Sequence, residues 1–235
     1  MSGLLILTAV ELESAALARQ LELPRLSTFP FRAFGRGDIR LAAIGPRAGL
    51  LDERWSRLSH GLRAPLVVSA GLCGGLDPGM RAGDLVLPDA VLAPSGELLR
   101  VNAQAHGLLL ARAGERARTG RLVTAREVAA TPEAKACLRA ETGAAAVDME
   151  SAAILARADA AGWPSLVVRA VSDEAAHAVP PALSRLLATD GRLHGGRALA
   201  LALTHPGSIA QAVTLRRASR LALGAVARSL AALVA

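Results

Sequence analysis

Residues 144–176, AAAVDMESAAILARADAAGWPSLVVRAVSDEAA, constrain the fold more than any other stretch of this chain. Asp148 and Glu150 open a helical pattern of Ala152, Ala153, Leu155, Ala156 and Ala160, which Gly162 and Pro164 stop. The run that follows, SLVVRAV, is apolar and rich in β-branched residues, as a buried parallel strand ending at Ser172-Asp173 would be. A helix between two buried strands is a βαβ crossover, and ligands of such units gather at the C-terminal ends of the strands. Both acid clusters fall there.

The rest of the chain is compatible with one α/β domain. Its 235 residues are 52% hydrophobic, enough to build a sizeable core. The net charge of +7 is almost wholly arginine, since Lys135 is the only lysine. In an alanine-rich chain that pattern reflects base composition better than a nucleic-acid surface, and 2% aromatics leave little on which bases would stack. Cys73 and Cys137 form no CxxC pair, and no Cys/His group has metal-ligand spacing. The start, MSGLLILTAVELES, lacks a basic n-region and meets Glu11 too early for a signal peptide. No apolar run approaches the ~20 residues of a spanning helix. A cytoplasmic protein is expected.

In chain order, Gly3–Val10 is a predicted buried strand that hands over to a helix from Ser14 to Leu21, with Glu13 at the junction. By itself Glu13 is a favourable acid for a first helical turn. A hairpin is predicted over Phe29–Ile44, and Gly45-Pro46-Arg47 leads into a helix ending near Gly61, where Arg47 by itself would be solvated. The strand Leu66–Ala70 runs into Gly71, Leu72, Cys73, Gly74 and Gly75, where missing Cβ atoms let backbone amides approach a ligand. Cys73 has no adjacent base and is a small buried filler. A hairpin over Val91–Val101, a helix Gln104–Arg118 and a strand Leu122–Ala125 follow. Thr131 then caps a helix that begins with Pro132. The five histidines share no motif; His177, near Asp173, is the only one of interest.

V-D-M-E-S-A-A followed, 23 positions on from Glu150 to Asp173, by V-V-R-A-V-S-D resembles the paired signature of the nucleoside phosphorylase and nucleosidase family. Leu76-Asp77-Pro78 and Gly83-Asp84-Leu85-Val86 are similar to its G-G-L-x-P and G-D-[LIV]-V segments. The resemblance implies a three-layer sandwich with a central mixed, partly barrel-like sheet flanked by helices. It also implies cleavage of an N-glycosidic bond without a cofactor, in a homo-oligomer. It assigns Asp173 as the general acid at purine N7, oriented by Ser172, and Glu150 as the acceptor of ribose hydroxyls, kept ionised by Arg169. Met149 would pack on the sugar, and Glu13 would activate water.

Gly71, Leu72, Cys73, Gly74, Asp148 and Val128 complete the expected substrate contacts, Val128 with Arg126 and Glu127 in a loop against the base. Gly45 and Arg47 would border the nucleophile pocket. From the residues alone, Asp173 remains equally a helix N-cap for Glu174–Ala178, and Glu150–Arg169 a buried ion pair. Two departures favour water over phosphate: the G-x-P-x-R loop of the family's phosphorylases is missing, and Leu72 stands where they carry a phosphate-binding serine.

Residues 1–207 would form the catalytic unit, and 208–235 a basic amphipathic helix of the same domain. Ala178-Val179-Pro180-Pro181, Asp190-Gly191-Arg192 and His205-Pro206-Gly207 resemble the hopanoid-associated phosphorylases, a subgroup implicated in removing adenine from adenosylhopane. Along the terminal helix Leu215, Leu223, Val226, Leu230, Leu233 and Val234 share one side, and Arg217, Arg220 and Arg228 lie on another. Such a helix either packs on the core or lies peripherally on the inner membrane. The resemblance also allows a methylthioadenosine/S-adenosylhomocysteine nucleosidase, a true phosphorylase, or a nucleoside-binding protein without turnover.

Overall fold

Every residue of the first strand is buried, and that decides the layering. In the computed structural model, which describes residues 3–114, 117–179 and 206–234, β1 (Leu4–Thr8) sends Leu4 and Ile6 into one apolar cluster and Leu5 and Leu7 into another. Strand side chains alternate between faces, so two clusters mean that the sheet is covered on both sides. The three-layer α/β arrangement is therefore present. The first cluster also takes Leu17 and Ala18 from α1 (Glu11–Gln20) and Leu109 from α3 (Ala103–Ala113). The second takes Trp55 and Leu58 from α2 (Leu51–Ser59) and Ile154 from α5 (Ser151–Asp159).

The sheet is mixed. β1 lies parallel to β4 (Ile39–Ala43) and to β5 (Leu66–Gly75), while β3 (Ala33–Arg36) returns antiparallel on β4 and β2 (Arg25–Leu26) on β3. Beyond β5 come β11 (Ala146–Asp148), β10 (Arg121–Thr124), β7 (Ala90–Leu92) and β8 (Leu98–Arg100). β12 (Ser165–Asp173) runs parallel to β5 and antiparallel to β6 (Leu85–Val86), which pairs with β9 (Ala117–Arg118). β5 thus touches β1, β12 and, through Gly74 and Gly75, β11. It is the spine of the fold.

Several elements differ from expectation for local reasons. β5 continues past Ala70 to Gly75, because β12 goes on pairing with it as far as Gly74. α3 stops at Ala113 rather than Arg118: Gly114, at φ +58°, ends the helix in a conformation that costs glycine nothing, and Arg118 joins β9. The segment after Gly45 begins as a short turn, Pro46–Ala48, whose Arg47 and Ala48 adopt positive φ and so keep it from running on as helix, and α2 starts only at Leu51.

α6 (Pro206–Val234) lies against β12, β5, α1 and α3, and among its described side chains Leu223, Val226, Leu230 and Leu233 are buried in the first cluster. Those four side chains are thus taken up by the core rather than left for a membrane. No helix among the described residues is long and apolar enough to cross one. Pro180-Pro181, Asp190-Gly191-Arg192 and His205 lie outside the described residues, as do the side chains of Leu215 and Arg217.

Candidate active site

The glycine end of β5 is a floor on which three separate segments set their charged groups. Gly71, at φ +143°, faces Arg169 across the β5–β12 pairing. A Cβ there would lie 2.7 Å from Glu13 Oε1 and 2.8 Å from an Arg169 Nη, closer than real contacts allow. Glycine at 71 is thus what lets this acid and this base share the floor. A Cβ on Gly74 would meet Asp173 Oδ2 at 3.2 Å. Glu13 from α1 and Arg169 and Asp173 from β12, more than 150 positions further on, accordingly converge on the four residues Gly71–Gly74 of one strand.

Glu13 is placed by the β1–α1 junction. Its Oε2 accepts the backbone N–H groups of Ala9 (3.0 Å) and Val10 (3.2 Å), so it does serve the helix start; its Oε1 accepts the Leu72 amide at 3.0 Å. Burial pushes its pKa above the ordinary carboxylate value, with Arg169 and these amides opposing. A carboxylate displaced upward is a stronger base at neutral pH.

Arg169 is completely buried on β12. Its Nη2 meets Asp148 Oδ2 at 2.7 Å, Ser69 Oγ at 2.9 Å and Ser151 Oγ at 3.2 Å, whereas Glu150 Oε2 stands 3.9 Å away. Burial pulls the guanidinium's pKa down, but Asp148, Glu150 and Glu13 outweigh it and hold the group above its usual value. The expected Arg169–Glu150 pair is present, but Asp148 is the closer partner. Asp148 also accepts from Thr124 Oγ1 (2.7 Å) and the Ser151 amide (3.1 Å). Expected among the substrate contacts, it instead spends its carboxylate inside the protein as the anchor of Arg169.

Glu150 stands at the N-cap position of α5, but its carboxylate makes no capping bond and instead accepts the Arg47 amide at 3.0 Å. Burial raises its pKa to about 7, Asp148 and Glu13 adding to the rise and Arg169 and the Arg47 amide countering it. Three carboxylates, Asp148, Glu150 and Glu13, share one guanidinium, so Arg169 counters this rise without cancelling it. Arg47 reaches Glu150 through its amide because its backbone is left-handed, and its Nε donates to the Arg126 carbonyl at 3.0 Å. It bridges Glu150 and the loop before α4 (Pro132–Thr142).

Asp173 follows a β-bulge: Val171 pairs with Cys73 and Asp173 with Gly74, leaving Ser172 as the extra residue. Bulges of this kind re-aim the strand end. Ser172 Oγ lies 2.6 Å from Asp173 Oδ1 and 3.1 Å from the Cys73 carbonyl. One hydroxyl proton serves one acceptor at a time. With Asp173 ionised, Ser172 donates to it; with Asp173 protonated, Ser172 can accept from it and donate to Cys73. The N-cap alternative falls, since Glu174–Val179 form turns and extended chain rather than a helix.

Sequence reasoning missed Lys135. Its Nζ contacts Asp173 Oδ2 at 2.6 Å, and the only signal was that it is the single lysine of an arginine-rich chain. Ser69, Ser151 and Thr124 were missed as well, although Ser151 stood inside the V-D-M-E-S motif. Met149 and Leu72 are half-buried beside these groups, whereas Val128 is exposed in its loop. Gly45, at φ +78°, precedes the turn that presents Arg47. Burial pushes the Cys73 thiol far up, leaving it inert. The His177 side chain is 69% exposed, and only its carbonyl enters the site, as an acceptor for Lys135. Among the described residues no group of His, Cys, Asp and Glu is placed to hold a metal.

A mixed, doubly covered sheet with carboxylates gathered at one strand's glycine end defines a nucleoside phosphorylase fold. Residues 55–194 match the Phosphorylase superfamily, and the chain belongs to it. It is 30% identical over 230 residues to the futalosine hydrolase of Streptomyces coelicolor, spanning 81% of this chain and 94% of that protein. Among solved structures it resembles the 5'-methylthioadenosine/S-adenosylhomocysteine nucleosidase of Neisseria meningitidis (TM-score 0.73, 19% identity, 100% and 99% of the two chains). It likewise resembles the futalosine hydrolase of Helicobacter pylori (TM-score 0.72, 16% identity, 99% and 97%). These homologues are nucleosidases, and the chain is an enzyme of that class, an N-glycosidase.

Proposed function

We propose that the protein hydrolyses the N-glycosidic bond of an adenine nucleoside, with water as nucleophile. The observation that carries this reading is the convergence of Glu13, Arg169 and Asp173 on Gly71–Gly74, with Glu150 beside them. The purine anion is a poor leaving group, and Asp173 relieves that by protonating N7. Glu150 receives the ribose hydroxyls, with Met149 on the sugar face. Positive charge growing at C1′ favours the ionised form of Glu150, so this carboxylate stabilises the transition state more than the ground state. Glu13 takes a proton from the attacking water. Mere binding of a nucleoside would need neither this base nor an acid at N7.

Water is preferred to phosphate on electrostatic grounds. Leu72 has no side-chain donor, and its amide is already bonded to the Glu13 carboxylate. An anion at that position would meet a like charge in a buried setting.

For the substrate, the motif order around Ser172-Asp173 and the proline pair that follows supports adenosylhopane, giving ribosylhopane and adenine. The likeness to enzymes of soluble nucleosides supports a second reading, methylthioadenosine, S-adenosylhomocysteine or futalosine. Incubating the protein with each compound, with and without phosphate, separates them. Free ribosylhopane and adenine, independent of phosphate, are expected. Sole turnover of a soluble nucleoside would replace the first reading, and a sugar 1-phosphate would overturn hydrolysis. Asp173→Asn is expected to lose about 10²–10⁴ in kcat; unchanged turnover would remove Asp173 as the acid.

A further inference from the structure

Lys135 is the only buried residue of α4. Its side chain is 1% exposed, and its Nζ donates to Asp173 Oδ2 (2.6 Å), the Glu174 carbonyl (2.8 Å) and the His177 carbonyl (3.0 Å). An ammonium has three N–H bonds, and all three are used. Three acceptors converging on a point suit a compact ammonium and not the planar fork of a guanidinium. This accounts for a lysine here in a chain whose other side-chain cations, 26 of 27, are arginine. Burying an ammonium is costly unless it is well paired. α4 therefore turns inward a charge aimed at one carboxylate.

We propose that Lys135 is a positioning residue for proton delivery, holding Asp173 over Gly74 and stabilising the carboxylate left when its proton moves to the purine. The inference rests on the reading of Asp173 as the general acid. In that step the Asp173 O–H bond breaks and an N–H bond forms at N7. The C1′–N9 electron pair goes to the base, and the water oxygen bonds to C1′ as Glu13 takes its proton. Exchange with solvent then returns a proton to Asp173 and removes one from Glu13. Lys135 stays charged throughout. Ser172 and Lys135 grip one oxygen each of the acid, and a carboxylate oxygen has a second lone-pair site with which to face the base. The same ammonium fixes the chain after β12, which Val179 ties to the Ala130 carbonyl (2.8 Å) just before α4.

The test uses Lys135→Met, Asp173→Asn and the double variant on two substrates: the purine nucleoside, and a riboside of 4-nitrophenol, whose leaving group departs without protonation. Lys135→Met should lower kcat on the purine nucleoside about 10–100-fold, part of what general acid catalysis supplies, with KM within about threefold. Its turnover of the phenol riboside should stay within about threefold, because no acid is needed there. Added to Asp173→Asn, it should change purine turnover less than about twofold, as coupled residues do. Equal loss on both substrates, or losses that multiply in the double variant, would overturn the inference. Should Lys135→Met not fold, Lys135→Gln, which retains a donor, is held to the same comparison. Full purine activity in Asp173→Asn would sink the general-acid reading itself, whereas an impaired Asp173→Asn beside an unimpaired Lys135→Met would sink this inference alone.

Discussion

At Gly71 three carboxylates, Glu13, Asp148 and Glu150, crowd one guanidinium; at Gly74 one carboxylate meets one ammonium. In the first cluster charge is mismatched and deeply buried. Glu13 and Glu150 are consequently pushed upward, the latter to about 7, where a carboxyl exchanges protons readily. In the second cluster charge is matched, Asp173 is 15% exposed, and each of its oxygens has a named partner. The contrast teaches that one floor supports two devices. Electrostatic imbalance tunes the carboxyls at Gly71, and tethering aims the one at Gly74.

The sharpest way to break this comparison is Arg169→Met, which would leave the carboxylates of the first cluster without their cation. A loss of about 3–5 kcal/mol in stability is expected, as when one partner of a buried pair is removed. Denaturant unfolding measures it, and a loss under about 1 kcal/mol would mean that the cluster is not held by Arg169.

Glu150→Gln should do the reverse at alkaline pH. The folded-state pKa of Glu150, about 7, lies above its ordinary 4.5, so the folded protein keeps a proton that the unfolded chain has lost. Its contribution is fully favourable below the lower value and fades as pH rises through the upper. At pH ~8 the variant should therefore be more stable than the parent by about 1–3 kcal/mol, while losing turnover; near pH ~5 the two should coincide. Melting curves at the two pH values decide it, and an offset that does not change with pH would remove the imbalance argument.

The smallest effect sharpens the tethered end. Thr131 caps α4 by accepting the Ala134 amide at 3.2 Å. Thr131→Ala should cost about 1 kcal/mol of stability. Purine turnover should fall only a fewfold, because Lys135 keeps its three acceptors. A loss as large as that of Lys135→Met would show that α4 as a whole, and not its ammonium, aims the acid.

Reading the sequence reached the imbalanced end more readily than the tethered one. Glu150, Arg169 and Asp173 stand on one strand–helix–strand run; β11 and β12 lie in opposite directions against β5, so the expected parallel βαβ crossover is absent, yet the acids still reach the glycine end of β5. Glu13 is legible because a strand hands over to a helix beside it. The roles inside that set were not legible. That Asp148 rather than Glu150 grips Arg169 depends on distances of 2.7 and 3.9 Å, which no spacing encodes. Lys135 lies 38 positions before Asp173, and its contact depends on where α4 settles against the chain after β12. The bulge at Ser172 left no mark either, since one extra strand residue changes no pattern of apolar positions.

The β5–β12 seam has a consequence for how the enzyme comes into being. Leu72 and Arg169 are 97 positions apart, yet their contact is part of the site. Pairings so distant are slow to form, because a long loop must close before any contact rewards it. Short-range helices and hairpins assembled earlier have no catalytic floor to offer. Regain of turnover during refolding should therefore lag the formation of helices and hairpins and come no earlier than the closing of this seam.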